Sequence, residues 1–409
     1  MHHLLLGAVV AVVLAVLAAG ATTRPGGAAV RADSPASAAK PCPNGYVHAI
    51  IERAHHCLRR GQRCAPRLDR VYRRYGFRCP KVRKARLVGG PRIKPKPKPK
   101  PKPTPLPRVA FCGGRAGPPP ARYDHVVVIW FENKNYTDVV GNRADAPYFN
   151  ALAGSCGLAT NYWSPAHISR RAYIASTSGE IRPPIGVPTT VDKGFSATGP
   201  SIFGLTSSWK VYVESMQTNC QARGTEADPY EHGHNPAIFY GAVADLCKRL
   251  DVPAGTPKAG ALADDLRNGT LPAYSVLVPD KCNSMHHLCG AKDIHGMVHR
   301  GDAWLKAWMQ AITASSAYRQ QRTAIFVTWD EGKVTTNPSN LQEDCLKTLG
   351  PTCHVATVVV TPYIKARRDG AFYTHFSLLK TTEELLGLTP LLGHAADPST
   401  LSMRRGLRF

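Results

Sequence analysis

Beyond residue 108 the chain is punctuated by short, largely apolar runs rich in Val and Ile: 125–131 (HVVVIWF), 274–278, 324–329 and 355–361. A strand with one wet face alternates apolar and polar positions. Runs of this length without that alternation instead predict strands covered on both faces, as in a parallel sheet. The cover is also present, because residues 302–318 and 376–386 carry apolar side chains at helical spacing. The pattern predicts one α/β domain over residues 109–409, with a mostly parallel central sheet flanked by helices.

Upstream the pattern changes several times. Residues 4–21 form an uninterrupted apolar stretch ending in Ala19-Gly20-Ala21, with Arg24, Pro25 and Gly26 behind it. Length and flank predict a secretory signal over residues 1–21, with an uncleaved anchor as the competing reading. Residues 22–41, rich in Ala, Gly, Ser and Pro, predict a disordered spacer. A compact four-cysteine unit is expected over residues 42–80, and residues 81–108 form a Lys/Pro linker. Its core, KPKPKPKPKP at 94–103, forms neither helix nor sheet. As polyproline II, at about 3.1 Å per residue, it spans roughly 30 Å.

Charge sharpens this division. Of a net +24, residues 1–108 carry 23 Lys and Arg against 3 Asp and Glu, whereas the remainder carries 29 against 25. A basic arm on a nearly neutral body argues for an anionic cell-wall or membrane surface as partner, and against specific nucleic-acid recognition. In the arm, Arg59, Arg60, Arg63, Arg67, Arg70, Arg73 and Arg74 interleave with Tyr72, Tyr75 and Phe77. That pattern reads either as a solvated basic hairpin or as a tether to phosphate groups. Twelve cysteines in an exported chain predict disulfides, four in the arm and eight in the body. The shortest loops suggest Cys282 with Cys289 and Cys345 with Cys353.

The chemistry is sought at the carboxyl ends of the strands, where open α/β sheets bind ligands. Two of these ends are acidic: Glu132-Asn133 follows the first run, and Asp330-Glu331-Gly332 follows the third. Oxygen donors delivered by two strands to one rim suit a divalent cation. Between them, Ser164-Pro165-Ala166-His167-Ile168-Ser169 runs into a predicted helix, placing Ser169 near a helix N-terminus, where an anion is favoured. His234, His286, His295 and His375 are the remaining polar candidates. No Gly-x-Ser-x-Gly elbow is present, which argues against a triad esterase.

Taken in order, the segments HVVVIWFENKNYTDVVG, APYFNALA, NYWSPAHISRRAYIASTSG, HNPAIFY, LPAYSVLVPDKCNSMH, GDAWL, FVTWDEG, TVVVTP and THFSLLKTTEELLGL are specific. They resemble the phosphoesterase family of bacterial acid phosphatases and phospholipases C, relatives of the alkaline phosphatase superfamily. The resemblance spans nearly all of residues 123–395. It implies an alkaline-phosphatase-like sheet and metal-assisted hydrolysis of phosphate esters or phospholipids through a serine phosphoenzyme. Position by position, it implies Glu132, Asn133, Ser169 and Asp330 as metal ligands, Ser169 as nucleophile and Glu331 as support. It also implies an active-site histidine before Gly301, for which His286 is favoured over His295 as proton donor or ligand. His375 is implied as a metal or phosphate contact. The metal would be Ca, Mg, Mn or Zn.

Two departures stand out. The family commonly shows x-Pro-Asn-Tyr after its nucleophile, whereas this chain has Arg170-Arg171-Ala172-Tyr173, which makes Arg170 or Arg171 a candidate phosphate clamp. Residues 290–297 look like an insertion beside the site. The expected protein is a secreted or envelope-associated phosphoesterase, with a catalytically silent envelope-binding protein as the alternative.

Overall fold

The computed structural model describes residues 42–52, 54–82, 85–89, 112–181, 197, 199–225, 227–333 and 344–409. The signal segment, the spacer and the Lys-Pro run lie outside these residues. The chain divides into two compact units, Met1–Lys102 and Pro103–Phe409.

In the first unit, β1 (Val47–Ile51) and β2 (Ala54–Leu58) form an antiparallel hairpin, and β3 (Phe77–Arg78) pairs antiparallel with β4 (Val88–Gly89). A small core gathers Ala49, Ile51, Leu58, Tyr72, Phe77, Ala85 and Leu87. So little apolar surface does not hold a unit of this size alone, and two disulfides, Cys42–Cys57 and Cys64–Cys79, staple it.

The second unit is an α/β domain. Its strands are β5 (His125–Phe131), β6 (Gly157–Ala159), β7 (Tyr162–Trp163), β8 (Trp209–Val213), β9 (Asp251–Pro253), β10 (Tyr274–Val278), β11 (Thr323–Trp329), β12 (Thr357–Val360), β13 (Arg367–Asp369) and β14 (Tyr373–Thr374). Eight of them form one sheet in the order β13-β6-β12-β11-β5-β10-β8-β9, while β7 and β14 pair separately. Within the large sheet, β12 runs antiparallel to both neighbours and every other pairing is parallel. Every residue of β5, β10, β11 and β12 is buried, which explains their largely apolar runs. The remaining strands are short or mixed; Lys210 interrupts β8.

The helix Ile294–Ala314 starts eight residues before the apolar periodicity does, because the Asp293 side chain accepts from the Gly296 N–H. The segment that resembles an insertion, 290–297, is therefore the approach to this helix and its first turn. Cys112–Cys156, Cys220–Cys247, Cys282–Cys289 and Cys345–Cys353 are bonded, the last two as their short loops suggest. Among the described residues no helix is long and apolar enough to cross a membrane.

Two buried carboxyls away from the sheet's carboxyl rim make this unit's stability depend on pH. Burial pushes Asp251 up to about 7 and Glu383, in the helix His375–Leu386, up to about 8. A carboxyl held above its unfolded value contributes stability that is complete below the unfolded pKa and is lost as pH rises through the folded one. The melting temperature is therefore expected to fall between pH 5 and pH 8, and Glu383→Gln is expected to flatten that fall. An unchanged slope in the variant would mean that Glu383 ionises freely in the fold.

Candidate active site

Strand register builds the site. β11 pairs with β5 from Thr323↔His125 to Trp329↔Phe131, so the next residues, Asp330 and Glu132, leave the sheet side by side. The Asp330 N–H donates to the Phe131 carbonyl at 3.0 Å and extends the ladder by one bond. Phe131 and Trp329 stack with 5.0 Å between ring centroids, and Trp304 meets Phe131 edge-on at 5.7 Å, so the carboxylates stand on a packed aromatic floor.

Asn133 turns the chain with φ +51°, a left-handed conformation that Asn tolerates better than most residues. In that turn its backbone N–H donates to Asp330 Oδ1 (3.3 Å) and its side-chain Nδ2 to Glu132 Oε2 (3.3 Å). Lys134, buried beneath the turn, donates from Nζ to the Asn133 carbonyl (3.1 Å) and to the Met285 carbonyl, tying the β5 exit to the loop that carries His286.

The opposite wall is the helix Ser169–Ser178. Ile168, just before it, has φ +73°, an uncommon conformation for a β-branched residue. Glu331 holds it there: Oε2 accepts from the Ile168 N–H at 2.8 Å and lies 2.9 Å from His167 Nδ1. The Ser169 hydroxyl then donates to Glu132 Oε2 (2.9 Å), with Glu331 Oε1 at 3.4 Å. One turn on, the Tyr173 hydroxyl donates to Glu132 Oε1 at 2.5 Å.

Three carboxylates thus converge in a buried place, and their protonation reflects it. Burial, then the neighbouring Asp330, push Glu132 well above its ordinary range, and burial with Glu331 raises Asp330 to about 7. His234 Nδ1 lies 3.4 Å from Glu132 Oε1, and the His286 ring is 5.3 Å from that of His234. Both imidazoles are held neutral by burial, His234 well below its usual value and His286 at about 4.

This donor set fits a divalent cation. Asp330 Oδ2 and His234 Nδ1 are buried without a hydrogen-bond partner. Glu132, His234 and His286 bring ligand atoms within 4.8 Å of one another. Buried anions and neutral imidazoles with spare lone pairs are what a hard or borderline cation satisfies.

The other candidates lie elsewhere. His295 is largely exposed and pairs with Asp145 at 2.6 Å, so of the two competing histidines only His286 reaches the carboxylates. His375 sits behind the site with both nitrogens engaged, Nδ1 by the Tyr162 hydroxyl (3.0 Å) and Nε2 by the Asp330 carbonyl (2.6 Å). Contrary to the expected metal or phosphate contact, this places it as a support for the Asp330 backbone. Arg170 packs over the Phe239 ring at 5.0 Å, whereas Arg171 is buried where it feels the charge of Glu331.

Tyr173 and His167 escaped the reading of the sequence, and His234 received no role. For Tyr173 a signal existed: four residues after Ser169 in a helix, it shares that residue's face.

Residues 143–389 match the Phosphoesterase family, and the chain belongs to it. The matched span contains Ser169, His286, Asp330 and Glu331, while Glu132 and Asn133 precede it. Among individual relatives, a probable acid phosphatase of Kluyveromyces lactis is 24% identical over 306 residues, covering 69% of this chain and 63% of that protein. An acid phosphatase of Aspergillus fumigatus is 25% identical, over 65% of this chain and 55% of that one. A phosphatidylinositol-3-phosphatase of Mycobacterium tuberculosis is 22% identical, over 69% and 83%. The chain thus spans about six-tenths of the length of the two fungal enzymes. Among solved structures, an alkaline phosphatase superfamily protein from Vibrio parahaemolyticus aligns at 15% identity and TM-score 0.47, over 70% of this chain and 72% of that one.

Proposed function

We propose that the chain is a secreted, metal-dependent phosphoesterase that hydrolyses phosphate esters through a phosphorylated Ser169. One observation carries this reading: a serine hydroxyl at the start of a helix donates to one of three buried carboxylates gathered at adjacent strand ends. The hydroxyl has an acceptor for its proton in Glu132, and the positive end of the helix dipole favours an incoming phosphoryl group. Glu331, by fixing the Ile168 backbone, aims the hydroxyl. Arg171, near enough to Glu331 to feel its charge, would be the phosphate clamp, while Arg170 stacks on Phe239. Neutral His286 and His234 are in the form that ligates or donates a single hydrogen bond.

Glu132, Asn133, Ser169 and Asp330 would hold the divalent cation. When bound, it would make the serine a better nucleophile and neutralise charge developing on phosphorus. The substrate is a phosphomonoester or a phospholipid, and the basic unit would keep the enzyme near an anionic wall or membrane.

The test is hydrolysis of p-nitrophenyl phosphate and release of head groups from phospholipid vesicles, before and after EDTA treatment. Turnover abolished by EDTA and restored by one of Ca, Mg, Mn or Zn is the expected result. Turnover that survives EDTA would remove the metal from the reading. No turnover of either substrate would leave an envelope-binding protein on a phosphoesterase fold.

A further inference from the structure

The basic unit presents a charge arrangement that its own fold does not explain. Residues 85–87 run antiparallel to residues 61–64 through Gly61 N–H to Leu87 O, Leu87 N–H to Gln62 O and Cys64 N–H to Ala85 O, which sets Arg63 directly opposite Arg86. Two residues on, β4 sets Val88 opposite Arg78. Burial alternates along this segment: Ala85 and Leu87 enter the core, whereas Arg86 and Val88 face out. Residues opposite one another, or two apart on an extended segment, share a face. Arg63, Arg86, Val88 and Arg78 therefore occupy one exposed face.

Like charges placed directly opposite across a strand pair are destabilising. Between residues 42 and 89 the chain has two acids, Glu52 and Asp69, and both are engaged elsewhere, by Arg67 at 3.4 Å and Arg73 at 2.7 Å. Arg63 and Arg86, the directly opposed pair, have no acidic ion-pair partner among the described residues, whereas Arg78 lies where Asp69 feels its charge; Arg86 spends one N–H on the Gly61 carbonyl at 2.6 Å. The repulsion is thus left standing in the folded unit, and an external anion would relieve it.

The apolar part of the face selects among anions. Val88 is 45% exposed between the arginines, and Val82, next to Lys81, is 58% exposed. A polyanion in water gains nothing from exposed valines. At a bilayer interface, phosphates and acyl carbons lie within a few ångströms of each other, and both kinds of side chain are satisfied together. We infer that this face docks on an anionic phospholipid bilayer, with the arginines on headgroup phosphates and Val88 and Val82 at the acyl boundary. Such docking is independent of the hydrolytic reading.

The test is co-sedimentation of the chain from residue 22 onward, without the apolar stretch 4–21, with vesicles of phosphatidylcholine alone or with one-third phosphatidylglycerol, at low and high salt. Wild type is expected to bind only the anionic vesicles, and less at high salt. Arg63→Gln with Arg86→Gln is expected to weaken binding roughly thirty-fold, at about five-fold per lost charge. The same change removes the cross-strand repulsion, so the unit's resistance to proteolysis is expected to hold or rise; weaker binding accompanied by unfolding would overturn the inference. Val82→Ser with Val88→Ser, which leaves the charge intact, is expected to weaken vesicle binding several-fold. If that variant binds vesicles like wild type, and duplex DNA or a teichoic-acid polymer competes fully, the face is a general polyanion site and the bilayer assignment fails. Absence of binding to anionic vesicles at low salt would overturn it outright.

Discussion

Ser169→Ala is expected to lower kcat for p-nitrophenyl phosphate by roughly 10³-fold or more, with KM changed far less. The asymmetry arises from the hydroxyl's place in the fold. Ser169 is the first residue of its helix, where alanine is an equally good helix former, so the backbone loses nothing. The hydroxyl's bond to Glu132 is one of three hydrogen bonds on that carboxylate, the others coming from Tyr173 and Asn133, with His234 Nδ1 a further 3.4 Å contact. Losing it costs about 1–3 kcal/mol of stability, less than the expected loss of turnover. A large fall in turnover with little change in melting temperature would therefore report chemistry. Acid quenching during turnover should trap phosphate covalently on the wild-type chain and none on the variant. Equal turnover by the two proteins would exclude Ser169 as nucleophile.

Much of this site is legible in the sequence, because strand ends are. A short run as rich in Val and Ile as HVVVIWF reads as a doubly covered strand, and the residues just after it then lie on a rim. Two acidic rims then meet wherever the two strands are neighbours. Adjacency itself is a matter of topology, and nothing in the composition of β5 or β11 announces that they pair in register. The antiparallel course of β12 is hidden for the same reason. A buried antiparallel strand between parallel neighbours has the same apolar run as they do. His295 and His286 show the limit most clearly. Spacing to Gly301 favours the first, but Asp293 starts the helix so early that His295 falls on its exposed first turn. His286 stays in the loop that Lys134 draws toward Asn133. His375 matches a family position, yet burial and its two engaged nitrogens fix its role, and neither is visible in a linear motif.

Asp330→Asn is expected to invert the stability ranking of the protein according to whether metal is present. Asp330, Glu132 and Glu331 are buried together, and Asp330 is held at about 7 because its ionised form faces its neighbours across a site with little water. Without a cation, an amide of the same shape removes one charge from that cluster. In EDTA above pH 7 the variant should therefore melt higher than wild type, by about 2–4 °C for each kcal/mol of repulsion relieved. On the proposed reading a divalent cation reverses this, since ligand binding to the native state stabilises by RT ln(1 + [L]/Kd), and the variant would lack one anionic ligand. With saturating metal wild type should melt higher, while the variant gains little and hydrolyses p-nitrophenyl phosphate poorly. Thermal scans of both proteins with EDTA and with each candidate metal would display the crossing. If Asp330→Asn were destabilising in both conditions, the carboxylate would be a structural hydrogen-bond acceptor for Asn133, and the cation would have to be held by Glu132, His234 and His286 without it. A binding site that costs the empty fold stability is what function at a buried carboxylate cluster requires.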